Sequence, residues 1–178
     1  FVTAGVFAAT LGLLVRDRLR PTDLALGVAT LTGALAAGRT MLSMAAAPLA
    51  GRASDWLGSR WRVATWALAV GAVGMVLTSR GSPSVVLVGV SLGAATGGGI
   101  QALATAVTGD LVSQARRGRA VGLLHTVGDL GSALGPPVAY ALLPRLGLPG
   151  VYTLCAALFA VGLALILCAQ LCWNRQDP

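Results

Sequence analysis

The stretch Gly51-Arg-Ala-Ser-Asp55-Trp-Leu-Gly58-Ser-Arg60-Trp-Arg62 separates two long apolar runs, at 24–49 and 63–79. Gly58 permits a tight reversal, because glycine adopts positive φ readily, and Asp55 can cap a following helix or pair with an arginine. Arg60 and Arg62 suit an anionic membrane surface, and Gly51 would let two helices approach closely. The stretch therefore predicts a basic turn between two membrane-spanning helices.

Further apolar runs lie on both sides of this pair, and the chain is 56% hydrophobic but only 11% charged. Soluble domains carry about 25% charged residues, so this composition excludes a water-soluble fold, and its hydrophobicity excludes intrinsic disorder. The runs are continuous rather than alternating, which favours helices over β-barrel strands. We therefore predict an all-α membrane protein with six transmembrane helices, at about 1–15, 24–49, 63–79, 84–109, 120–143 and 150–172.

The charges are unevenly distributed. All 13 basic residues are arginine, all 6 acidic residues are aspartate, and the net charge is +7. Most of the arginines lie in short gaps between apolar runs, which is typical of loops beside anionic lipid and argues against nucleic-acid binding. The second and fourth gaps and the C-terminal tail hold the larger share, so both ends of the segment should face the cytoplasm. Arginine without lysine, with abundant alanine and glycine, favours a bacterial inner (plasma) membrane.

The chain also resembles itself when it is shifted by 89 residues, half of its 178. Pro48 then falls on Pro137, and Leu57-Gly58 falls on Leu146-Gly147. Repeats at about 1–89 and 90–178 would each contain three helices, so the second repeat would begin on the opposite side of the membrane. Two inverted three-helix repeats are typical of secondary transporters.

The stretch at 51–62 resembles the G-x-x-x-D-x-x-G-x-R-x-R loop of the major facilitator superfamily, with Gly51, Asp55, Gly58, Arg60 and Arg62 at the matching positions. In that family the loop joins the second and third helices of each six-helix half, which is also its place here. The resemblance implies that these residues form a cytoplasmic gate. Arg60 would bridge toward Asp110 at the end of the fourth run, and Asp55 would lie near the start of the fifth.

A second pattern lies in the fifth run, where Gly122, Gly131, Gly135 and Pro136 match the spacing G-x8-G-x3-G-P. In the same family this pattern marks proton-coupled antiporters that export drugs or metabolites, and it continues with two further glycines that this chain lacks. The residues also suit a helix-packing face followed by a kink. The start at Phe1 without Met, and the polar tail, favour the C-terminal half of an exporter-like member; the N-terminal half is the alternative.

Two charged residues lie inside apolar runs, where a charge costs about 2.5–3.5 kcal/mol on insertion scales. We predict that Asp129 carries protons, the alternative being a helix–helix hydrogen bond. Arg39 would be electrostatically coupled to Asp129 or face the same cavity, unless it snorkels or binds an anionic substrate group unaided. His125, one turn before Asp129, could form a proton pair with it, although a packing hydrogen bond is the simpler interpretation. Gln101 would line the path or bridge two helices.

Two other functional classes compete with transport. A stand-alone six-helix protein with a structural or assembly role would not need Asp129 and Arg39. An intramembrane protease needs a G-x-S-G turn or H-E-x-x-H, and the chain has neither. We therefore expect no enzyme activity, no cofactor and no metal, and a half transporter that moves a small molecule by proton-coupled efflux and alternating access. Its partners would be substrate, protons, the lipid bilayer and the other six-helix half or a second copy, with no nucleic acid.

Overall fold

A computed structural model describes residues 1–19 and 27–173, and within these ranges it contains helices and short turns but no strand. The first α-helix, α1, is flanked by π-helical turns at Val2–Val6 and Val15–Leu19. A 3-10 turn at Gln114–Arg116 leads into the last helix. The five helices are α1 (Phe7–Leu14), α2 (Val28–Trp56), α3 (Arg60–Arg80), α4 (Pro83–Leu111) and α5 (Arg117–Trp173). The predicted all-α class is confirmed.

The long helix α5 is interrupted at Gly147, where φ is 63° and ψ is 176°. Glycine takes this conformation without the steric cost that a Cβ would bring. The interruption divides α5 into a first arm, 117–146, and a second arm, 148–173. Each arm is longer than the roughly 20 residues that cross a bilayer, and the two arms contain the predicted fifth and sixth runs.

Three helical stretches among the described residues are long and apolar enough to cross a membrane: Arg60–Arg80, Pro83–Leu111 and Gln114–Leu171. α2 has the length, at 29 residues, but Arg39 and several glycine, serine and threonine residues reduce its hydropathy. α1 has only 8 residues between its π-helical turns. The presence of membrane-crossing helices agrees with the predicted class, whereas the number six stays a prediction.

The predicted loop at 51–62 is much shorter in the structure. α2 continues to Trp56 and α3 begins at Arg60, so that only residues 57–59 form the turn. Gly51 and Asp55 therefore lie on a helix. The charged residues of this stretch predicted helix ends that are too early for α2 and too late for α3. A helix that leaves the membrane can continue into the polar surface layer.

The core forms around α1 and the π-helical turns beside it. Phe7, Leu11 and Leu14 are buried against Val151 and Tyr152 of the second arm and other apolar residues. α4 packs on α2 and on α3, through glycines that leave no room for a Cβ: Gly89 and Gly93 face α3, and Gly98 meets the Ser43 carbonyl of α2. Small residues at such crossings let helix backbones approach closely.

The bundle has two ends, which are named here by one residue each. At the Asp110 end, α2 and α4 finish and α3 begins, with residues 54–61 and 107–111 surrounding one opening. At the Arg80 end, α3 finishes beside the interruption in α5, and Ser79 and Arg80 lie near Leu146 and Pro149. α3 and α4 run antiparallel between these ends.

Candidate functional site

A cavity of about 490 Å³ lies beside the first residues of the chain, between α3, α4 and the two arms of α5. We call it the Asp129 cavity. Its apolar lining includes Leu68, Ile100, Leu124 and Phe159. Its polar lining consists of Thr3, Gln101, Thr105, His125, Asp129 and Ser132. Three predicted site residues, Gln101, His125 and Asp129, are thus brought to one cavity.

The first arm presents both titratable groups of this cavity. His125 and Asp129 lie one helical turn apart, both are exposed, and Gly128 between them places no side chain in the space. Among the described residues, no arginine lies within ion-pair distance of Asp129. Nor do these residues contain a cluster of three His, Cys, Asp or Glu side chains that could hold a metal. An unpaired carboxylate beside an imidazole can take up and release protons if water reaches it.

Arg39 does not line the Asp129 cavity. Its guanidinium donates a hydrogen bond to the backbone carbonyl of Thr3 and lies over the ring of Phe7, with 5.3 Å from Cζ to the ring centroid. No ion pair joins Arg39 to Asp129 in the described ranges. The predicted coupling therefore does not take the form of a direct contact, because Arg39 is held by α1 and its first π-helical turn.

Beside Phe7, the hydroxyls of Thr10 and Tyr152 form a buried hydrogen bond of 2.8 Å that was not predicted from the sequence. The Thr10 hydroxyl also reaches the Val6 carbonyl at 2.9 Å, where it must be the donor, so the Tyr152 hydroxyl donates to Thr10. The Phe7 and Tyr152 rings are tilted by 52°, with centroids 5.6 Å apart. The sequence does contain one indication of such a bond, because a tyrosine and a threonine inside apolar runs need hydrogen-bond partners when they are buried.

At the Asp110 end, Arg60 Nε lies 3.0 Å from Asp110 Oδ2. This contact confirms the predicted approach of Arg60 to Asp110. Asp55 lines the same opening of about 510 Å³, although the ion pair is formed without it. The pair joins the first residue of α3 to the last turn of α4 and is partly exposed.

Other details of this turn differ from the expectations. Among the described residues, nothing outside its own helix lies within 4 Å of where a Cβ on Gly51 would be, so the structure shows no close helix approach at that glycine. Asp55 lies in the last turn of α2 and does not cap α3. The cap of α3 is Ser59, whose hydroxyl accepts a hydrogen bond from the Arg62 backbone N–H at 3.4 Å. Gly58 has a φ of 62°, the conformation in which glycine is favoured. The Arg62 side chain is exposed.

The glycines of the fifth run divide into two groups. A Cβ on Gly135 would lie 2.5 Å from the Cα of Gly5, and one on Gly131 would lie 3.5 Å from the Cβ of Phe1. A Cβ on Gly122 would meet nothing within 4 Å. The packing face is therefore the Gly131–Gly135 part of the pattern, and Gly5 is its unpredicted partner. Pro136 lies inside the first arm, which continues as a helix beyond it.

Comparison with known proteins gives one match. The family model of the Major Facilitator Superfamily matches residues 1–175, nearly the whole chain. No curated protein and no solved structure matches the chain significantly. The matched family is the one that the stretch at 51–62 resembles.

Proposed function

This chain belongs to the Major Facilitator Superfamily, whose members are membrane transporters, and we propose that it forms one six-helix half of a proton-coupled exporter. In this proposal repeats at about 1–89 and 90–178 make up the half. It works by alternating access with a second half, supplied by the same polypeptide or by another copy. The transported molecule is small, the membrane is a bacterial inner membrane, both ends of the segment face the cytoplasm, and the chain catalyses no chemical reaction.

The observation that carries the proposal is the position of Asp129. A carboxylate on a membrane-crossing arm is costly unless it faces water or a partner, and Asp129 faces a cavity without an arginine beside it. His125 lies one turn away, and Gln101 and Thr105 add neutral hydrogen-bonding groups from α4. Such a lining can hold a proton in one conformation and release it in another.

An exposed apolar stripe on the first arm of α5 supports the proposed packing of a second six-helix half against this chain. Leu123, Val127, Leu130 and Leu134 follow a 4-3-4 spacing along one face of the first arm, and each is more than half exposed. Met41 on α2 is also 71% exposed. Apolar side chains repeated at this spacing suit burial against lipid or another helix. In the proposed transporter they meet the bilayer and the second half.

The Arg60–Asp110 pair supplies the proposed gate. It links α3 to α4 at the Asp110 end, beside the turn at Gly58. Opening this end for alternating access would require the pair to separate. Because the pair is partly exposed, its separation costs little, on the order of 0.2–1 kcal/mol, which is suitable for a reversible latch. Gly51 and Asp55 on α2, and Arg62 on α3, would then move with their helices.

The test is the loss of proton-driven export in Asp129→Asn. Everted membrane vesicles containing the full natural polypeptide are energised with a proton gradient, and uptake of a panel of amphipathic dyes is measured by fluorescence. We expect uptake of at least one dye, collapse of uptake by a protonophore, and a loss of more than about 10-fold in the variant, because an amide cannot exchange the proton.

Asp17→Asn is the matched control, because Asp17 lies outside the Asp129 cavity and pairs with the adjacent Arg18. It should export like the unmodified protein. Export that persists in Asp129→Asn at equal membrane abundance would reject the proton-carrying role. Uptake that is insensitive to the protonophore would reject proton coupling altogether.

A further inference from the structure

We propose that Arg39 forms an anion-binding site open to water, and that the transported molecule therefore carries a carboxylate, phosphate or sulfonate group. This inference rests on the proposed transport function and adds the substrate class. It starts from the surroundings of Arg39, which supply hydrogen bonding and ring contact but no negative charge.

Arg39 lies close to the middle of the bundle along its long axis. Its guanidinium binds the carbonyl of Thr3, and the side chain of Thr3 lies against Gly97. Gly97 is the central residue of α4 (Pro83–Leu111), with 14 residues on either side (97 − 83 and 111 − 97). At this depth a lipid head group is out of reach of the side chain, so snorkelling does not account for the charge.

The charge of Arg39 has no acidic partner among the described residues. The two ion pairs within these ranges are Arg18–Asp17 and Arg60–Asp110. The contacts of Arg39 are a neutral carbonyl oxygen and the face of Phe7, which stabilise a cation without neutralising it. An anion that reaches this point would meet an uncompensated positive charge, which attracts it.

The Arg39 guanidinium also has N–H donors that its bond to Thr3 does not use. Nη2 bonds to Thr3, and arginine carries further N–H groups on Nε and Nη1. In the described ranges every buried side-chain nitrogen and oxygen has a hydrogen-bond partner. Arg39 is partly exposed, and no partner is found for Nε and Nη1 among the described residues, so these two nitrogens can meet a ligand. They form the planar edge that binds a carboxylate or phosphate in a bidentate manner.

Buried residues fix the position of the Arg39 guanidinium. Phe7, over which the guanidinium lies, is buried and packs against Tyr152, whose hydroxyl is bonded to Thr10. This arrangement links α2, α1 and the second arm, so the orientation of Arg39 is set by groups that do not themselves bind the anion. A fixed donor edge loses less conformational entropy when it binds a ligand than a free side chain does.

The test measures whether Arg39 draws anions to this point. In the full natural polypeptide, Cys155, Cys168 and Cys172 are replaced by alanine and Thr3→Cys is introduced. The protein is reacted with anionic sulfonatoethyl and cationic trimethylammonioethyl methanethiosulfonate. We expect the anionic-to-cationic rate ratio to fall by about 10-fold in Arg39→Gln and to be kept in Arg39→Lys, which retains the charge.

Ala4→Cys is a second reporter, since Ala4 is exposed and its backbone lies next to Thr3. If Arg39→Gln leaves the ratio unchanged at both positions, or if neither cysteine reacts in monodisperse protein, the inference is wrong. Asp129→Asn should shift the ratio in the opposite direction. Because the dye-export assay depends on Asp129, a failure of the anion site is distinguishable from a failure of the proposed transport function.

Discussion

The buried hydrogen bond between Thr10 and Tyr152 gives an asymmetric prediction for stability. The two residues are 142 positions apart, and their side chains are almost fully buried. Tyr152 is the donor, and Thr10 also bonds to the Val6 carbonyl. Removing the Thr10 hydroxyl therefore leaves Tyr152 without an acceptor, whereas removing the Tyr152 hydroxyl leaves Thr10 with its bond to Val6. We expect Thr10→Val to destabilise the protein more than Tyr152→Phe does, and the double variant to recover part of the loss.

The expected loss of stability in each variant depends on which polar group is left without a hydrogen-bond partner. Tyr152→Phe removes one donor, but the Thr10 hydroxyl still bonds to Val6, so the loss is about 0.5–1.5 kcal/mol. Thr10→Val keeps the shape of the side chain and leaves the Tyr152 hydroxyl buried without an acceptor, which costs about 1–3 kcal/mol. With both polar groups removed, no unsatisfied group remains. Hydrogen bonds between membrane helices have coupling energies of about 0.6 kcal/mol on average, with a maximum near 1.7.

The free energy of unfolding is measured for all four proteins by titrating dodecyl sulfate into purified, micelle-bound protein and following helix content. The double-mutant cycle should give a coupling energy of roughly 0.6–1.7 kcal/mol. Phe7→Leu serves as a packing control, because it removes the ring that contacts Tyr152 without touching the hydrogen bond. Strictly additive losses would refute the coupling between the two hydroxyls, and a Thr10→Val variant more stable than Tyr152→Phe would refute the assignment of Tyr152 as donor.

Two further predictions concern packing and charge. Gly135→Ala should lower the free energy of unfolding by about 1–3 kcal/mol, because its Cβ overlaps the backbone of Gly5 and Val6 in the first π-helical turn. Gly122→Ala on the same arm should be neutral or stabilising by up to about 1 kcal/mol; equal losses in the two variants would contradict the packing assignment. Arg60→Asp and Asp110→Arg should each break the ion pair at the Asp110 end, detected as faster labelling of an introduced cysteine there, and their combination should restore the slower labelling. No recovery in the combined variant would show that the ion pair does not hold this end.

Local chemistry made part of the structure predictable. Continuous apolar runs predicted helices, because a chain in lipid must satisfy its backbone hydrogen bonds internally. Gly58 was expected at a reversal, and it has the positive φ that such a turn needs. The approach of Arg60 to Asp110 was implied by the family resemblance and is present at 3.0 Å. These features depend on residue type and neighbouring positions.

The features that were missed depend on which helices meet. Nothing in the sequence pairs Thr10 with Tyr152 or Gly5 with Gly135, because those contacts exist only after α1 and the π-helical turn before it have packed against the two arms of α5. Arg39 was expected to be coupled to Asp129, since a charge in an apolar run suggests a counter-charge. The structure gives it a carbonyl and a ring instead.

The two positive-φ glycines among the described residues bear on the proposed inverted repeat. Gly58 has a φ of 62° and Gly147 a φ of 63°, and they are separated by 89 positions (147 − 58), the shift at which the sequence resembles itself. Gly58 lies at the Asp110 end, and Gly147 lies next to Leu146 and Pro149 at the Arg80 end. Glycines of similar φ at opposite ends, 89 positions apart, are consistent with an inversion between two three-helix repeats, and the division near residue 89 stays a prediction.

The same relationship shows how the two ends differ. The shift of 89 places Arg60 on Pro149, so the repeat does not reproduce the Arg60–Asp110 ion pair at the Arg80 end. The charged contact near that end is Arg18, which pairs with Asp17 and donates to the Ser79 carbonyl at 3.2 Å. There the Ser79 hydroxyl bonds to the Pro149 carbonyl at 2.8 Å and to the Thr153 hydroxyl at 2.9 Å. Salt screens exposed charges but not neutral hydrogen bonds. If both contacts act as latches, raising the ionic strength should weaken the Arg60–Asp110 ion pair more than the hydrogen bonds of Ser79, and should shift the transporter toward the conformation open at the Asp110 end.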